Sequence, residues 1–135
     1  MTFKNSNTEV LEPSWASITN SSGSASSSNQ YFEIDEAGTY LVEADAPAYY
    51  VGYHQLRLAR QTGDSFTTEY GTSEYCPTGH NVATRSFVRA IVTITSSIVL
   101  KLEHYVGTTQ SYGNGLGVDA GSNNVYTRVK ITKLY

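Results

Sequence analysis

The chain has 135 residues, of which 39% are hydrophobic and 16% charged, with a formal net charge of -3. That length suits one domain that buries roughly two thirds of its unfolded surface around one core, without staples. The weakly acidic balance lacks the basic stripe that nucleic acid requires, which excludes nucleic acid as a partner.

No apolar run approaches the roughly 18 residues of a membrane span, so no membrane insertion is expected. The polar start MTFKNSNTEV carries no apolar signal stretch, and residues 1–12 read as a flexible N-terminal tether to a domain over 13–135. Weak strand signals follow at 15–19 and 31–35, on either side of a Ser-rich stretch over 17–29 that reads as a surface loop. It holds the sequon Asn20-Ser-Ser22, expected to stay unmodified without a secretory signal. Clean period-two alternation then begins. Over 38–46, Tyr40, Val42, Ala44 and Ala46 share one face; over 54–61, Leu56 and Leu58 oppose Gln55, Arg57 and Ala59. After a weaker segment at 66–75, residues 86–94 set Val88, Ala90, Val92 and Ile94 against Phe87, Arg89 and Thr93. Residues 98–105 set Ile98, Leu100 and Leu102 against Lys101 and Glu103, and 125–134 set Val125, Val129 and Ile131 against Arg128 and Lys130. Sheets with one core face and one wet face read this way, and the last segment, long and cleanly alternating, is expected at a sheet centre. Turn signals such as Glu36-Ala37-Gly38 and Thr62-Gly63-Asp64 punctuate the strands. No helical period is sustained. About eight short strands so punctuated predict an all-β jelly-roll sandwich of two antiparallel sheets.

Phe32, Gly38, Tyr40 and Val42 reproduce the spacing F-x5-G-x-Y-x-[FV], which resembles complement-type globular heads and their tumour necrosis factor-like jelly roll. The segments AGTYLVEADAPAYYVGYHQLRLAR, GTSEY, TRSFV, LEHY, GLGV and VYTRVKITKLY resemble, in order, the C-terminal receptor-binding domain of phage tail fibres and tailspikes. The resemblance implies a homotrimer at the distal end of a virion fibre, extracellular after host lysis, that touches a host-surface glycan or protein or holds three chains in register.

Candidate chemistry is sparse. His54 extends the Leu56/Leu58 face and His104 the Ile98/Leu100/Leu102 face, so both fit either a hydrogen-bonded core end or the trimer axis. Neither has a neighbour at metal-ligand spacing, and no metal or cofactor is expected. Cys76 cannot form an internal disulfide, and Cys76-Pro-Thr-Gly-His80 falls short of a zinc set; a nucleophilic pair there needs geometry that spacing alone does not supply. Gly115-Leu-Gly117-Val-Asp-Ala120 mimics a dinucleotide fingerprint but precedes no helix. No glycosidase carboxylate pair stands out, so no enzyme is expected. The informative excess is tyrosine, eleven in all. Tyr49, Tyr50 and Tyr53 fall in one predicted loop, with Tyr70, Tyr75 and Tyr112 near others and Asn114 beside Tyr112. Such rings either bridge core to solvent or offer flat faces with a hydrogen-bonding tip for a sugar or protein surface. Leu134 and Tyr135 place two large apolar side chains at the C-terminus, where a threefold axis would bury them. The sequence therefore predicts a receptor-binding fibre tip, with carbohydrate as the expected ligand; the alternative is a structural trimerisation cap without ligand binding.

Overall fold

A computed structural model describes residues 15–17, 31–108 and 127–135 of the chain. The tether over 1–12, the Ser-rich loop, Tyr112 and Asn114 lie outside the described residues. The elements are β1 (Ala16–Ser17), β2 (Phe32–Ile34), β3 (Gly38–Tyr49), β4 (Gly52–Gly63), β5 (Glu69–Cys76), β6 (Ala83–Ile94), β7 (Ile98–Val106) and β8 (Arg128–Lys133). All described pairings are antiparallel. One sheet runs β1-β7-β4-β5, with β2 also on β7; the other runs β6-β3-β8. β4 occupies one edge of β7, leaving β1 and β2 to follow one another along the opposite edge. The last strand is therefore not central among the described residues. β3 takes the centre because its twelve residues pair on both sides, whereas β8 has only six.

The alternation fixes which side of each strand is buried. Val42, Ala44 and Ala46 of β3, Val88, Val92 and Ile94 of β6, Leu56 and Leu58 of β4, and Ile98, Leu100 and Leu102 of β7 form one continuous core between the sheets. Burying such side chains is worth about 1.5–3 kcal/mol each.

Two local devices close the sandwich at β5 and β6. The register of β4 against β5 shifts between Gln55 and Arg57, and Leu56 N turns to the Ser86 hydroxyl across the sheets at 3.0 Å. That hydroxyl in turn donates to Thr72 O at 2.6 Å. Ser86 is fully buried, so it stands in for ladder bonds that the bulge removes. Beside it, β5 approaches β6 so closely that a Cβ on Gly71 would collide with the Phe87 carbonyl oxygen, which only glycine permits.

Candidate functional site

Among the described residues, the outward side of the β1-β7-β4-β5 sheet carries most of the exposed aromatic side chains. On β4, outward positions alternate Tyr53, Gln55, Arg57; on β7 they are Lys101, Glu103, Tyr105; on β5, Tyr75 lies opposite Tyr53 and Tyr70 opposite Arg57. Period-two geometry places all of these on one face. Tyr53 is 71% exposed, and Tyr70, Tyr75 and Tyr105 are exposed as well. Tyr53 and Tyr75 meet edge to face with ring centroids 5.2 Å apart, the arrangement that aromatic quadrupoles favour. Trp15, just ahead of β1, lies across the middle of the face, 5.7 Å from the Tyr70 ring and 5.6 Å from the Tyr105 ring. Its own ring sits 4.2 Å from the Arg57 guanidinium carbon, a cation–π contact. Arg57 Nε donates to Glu103 Oε1 at 3.0 Å, and Lys101 Nζ lies 3.8 Å from Glu103 Oε2. Glu103 is buried although it points outward, with the two cations against its carboxylate.

The tyrosines read from sequence as one loop cluster separate here. Tyr49 belongs to β3 and is only 8% exposed, its hydroxyl donating to Asn81 Oδ1 at 2.6 Å. It closes the core end and offers no free ring. Tyr50 is half-buried against Tyr49, in the left-handed region with φ 65°, because the chain crosses from one sheet to the other at Tyr50–Val51. Tyr53 and Tyr75 do come together. Trp15, Tyr105 and Arg57 were missed as site residues; the signal was present in the outward half of each alternation, where tyrosines recur on the wet face.

His54 and His104 are also placed differently from a trimer axis. They are 1% and 2% exposed within a single chain, so each meets the other and not a symmetry mate; they take the hydrogen-bonded core-end position. His54 Nδ1 lies 3.0 Å from His104 Nε2, and His54 Nε2 lies 2.7 Å from Thr84 Oγ1. His104 Nδ1 has no partner among the described residues. An orphan acceptor costs less than an orphan N–H, so the favoured tautomers have His104 Nε2–H donating to His54 and His54 Nε2–H donating to Thr84. Thr84 also hydrogen-bonds Cys76, whose thiol is pushed up by burial. Cys76 is enclosed while His80 is exposed, so the thiol faces a hydroxyl in place of the imidazole four residues on. A raised thiol is a poor nucleophile. Among the described residues no group of three or more His, Cys, Asp or Glu could hold a metal ion.

Leu134 and Tyr135 are exposed in the single chain, although their backbone is held: Thr39 N donates to Tyr135 O at 2.7 Å and Leu134 N to Thr39 O at 2.8 Å.

No protein-family model matches the chain, and no curated protein matches it. Among solved structures it is similar to the globular domain of zebrafish complement 1qA protein, with a TM-score of 0.62 and 12% identity over 99% of this chain and 95% of that one. At that identity the likeness is one of fold, and with the two sheets described above it places the chain in the complement-head type of jelly roll.

Proposed function

We propose that this chain is the distal tip domain of a phage tail fibre or tailspike, carried on the virion and released at host lysis, and that it binds host-surface carbohydrate without catalysing a reaction. The observation that supports this most is the tract of rings on one sheet face: exposed Tyr53 with Tyr75, and exposed Tyr70 and Tyr105 on either side of half-buried Trp15. Flat aromatic faces with hydroxyl tips match the apolar faces and polar edges of sugar rings, and rigid rings cost little entropy to order. A glycan array probed with the full chain tests the reading. Truncating a central ring at such a site costs about 2 kcal/mol or more, so Tyr53→Ala/Tyr75→Ala should lose its array signal while remaining folded. Retention of every signal by that variant and by Trp15→Ala would refute this location.

A second reading, the homotrimeric cap, is favoured by the terminus. Leu134 and Tyr135 present apolar side chains to solvent while their backbone is held by hydrogen bonds, a surface that a second and third copy around a threefold axis could bury. Light scattering coupled to size exclusion should then give about three times the 14.8 kDa chain mass. A monomer at micromolar concentration would exclude it.

A further inference from the structure

The aromatic face holds an unspent cation. Two cationic groups, Arg57 and Lys101, converge on the single carboxylate of Glu103, leaving a local surplus of positive charge on a chain whose net charge is -3. Glu33 of β2, an acid on this side, lies opposite Val99 and forms no ion pair among the described residues. Only Nε of Arg57 is engaged, on Glu103; no acceptor among the described residues meets the two terminal nitrogens. The Trp15 ring packs against the guanidinium from one side with its centroid 4.2 Å away, and the centroid of the exposed Tyr70 ring lies 6.0 Å away. The side chain retains 22% of its exposure, so the group is oriented by its neighbours without being sealed by them. A guanidinium held against a ring and by its inner nitrogen, with its terminal edge unused among the described residues, is shaped for two parallel hydrogen bonds to a planar carboxylate.

We propose that the saccharide taken by this face is acidic, its carboxylate received end-on by the terminal nitrogens of Arg57 while its ring lies on the adjacent aromatic side chains. The proposal rests on the glycan-binding reading and gives that site its ligand class. Trp15 and Glu103 act as positioning residues: one sets the plane of the guanidinium and the other anchors its inner nitrogen. The anionic group supplies the charge that Glu103 leaves unmatched. Lys101, a compact charge on a flexible stem, adds attraction without orientation.

The test uses the full chain and two probes, a uronic-acid oligosaccharide and its carboxyl-reduced neutral counterpart, compared by calorimetry after an array of neutral, carboxylated and sulfated glycans. The acidic probe should bind at least about tenfold more tightly than the reduced one, with the preference shrinking as salt rises. Arg57→Gln strips buried Glu103 of its nearer partner and endangers the fold. Arg57→Lys keeps the charge and removes the fork, so it should erase most of the preference for the acidic probe while the far-ultraviolet dichroism stays that of the folded chain. Equal binding of the two probes, full preference in Arg57→Lys, or an array response to sulfated glycans alone would overturn the inference and leave the glycan reading standing. Absence of binding to glycans of any charge would overturn both.

Discussion

His54 and His104 make the interior sensitive to acid in a window that can be worked out in advance. Desolvation lowers His54 from 6.5 to about 4, opposed by the charge of Glu74, which β5 places opposite it; desolvation also lowers His104 to about 3, assisted by His54. In the unfolded chain both rings titrate near their ordinary value. Between about pH 6.5 and pH 4 the unfolded chain therefore binds protons that the folded chain refuses, so stability declines as pH falls through that window and is level above it. With both rings held neutral in the folded chain, the pair removes on the order of a few kcal/mol between roughly pH 7 and pH 5, a large share of the about 5–15 kcal/mol that holds a domain folded. The carboxylate of Asp64 is held down by the amides of Ser96 and Thr95; it loses its contribution only as pH falls through its own lowered value, below most of the histidine window. Urea unfolding at several pH values reads the slope directly. The wild-type chain should lose several kcal/mol over that interval, and His54→Gln/His104→Gln should be nearly level there whatever its absolute stability. Glu74→Gln should leave the loss between pH 7 and pH 5 nearly unchanged and deepen it only towards pH 4 and below, where the charge of Glu74 otherwise helps folded His54 take its proton. A wild-type chain as stable near pH 5 as at neutrality would refute the reasoning, as would an unchanged slope in the double variant.

Three further perturbations probe the frame. Ser86→Ala should cost about 1–3 kcal/mol in urea unfolding, since Leu56 N and Thr72 O both lose the partner that replaces ladder bonds at the bulge. Leu58→Ala, at a fully buried position of the core between the sheets, should cost about 2–5 kcal/mol by leaving a cavity; a loss under about 1 kcal/mol would mean that the sheets do not pack as described. Deleting Leu134 and Tyr135 should lower the mass seen in light scattering without changing the far-ultraviolet spectrum, because the terminal side chains face away from the core of one chain.

The sheets were legible because alternation is a physical consequence of one-sided burial. Val88, Ala90, Val92 and Ile94 had to share a face, and they share the core. Strand order was less legible: residues 125–134 alternate as cleanly as a central strand, yet pairing partners, not alternation, determine what is central. The tyrosine site was half visible. Tyr53 and Tyr75 stand 22 positions apart with no local pattern linking them; cross-strand register alone makes them neighbours. Trp15 was read as part of a weak strand, and no local pattern reveals that it reaches over Arg57 to Tyr70. The histidines illustrate the opposite case. Their faces were read correctly, but the 3.0 Å contact between them comes from the pairing of β4 with β7, where Leu56 lies opposite His104.

The binding account has a built-in reporter, since Trp15 is the only tryptophan of the chain and lies on the proposed face. Glycans that score on the array are titrated into the full chain while tryptophan emission and calorimetric heat are followed together. The account predicts a saturable change in Trp15 emission with the same midpoint as the heat, abolished in Tyr70→Leu and shifted to weaker binding in Tyr53→Ala/Tyr75→Ala. Saturable heat with unchanged emission, undiminished in those variants, would contradict it.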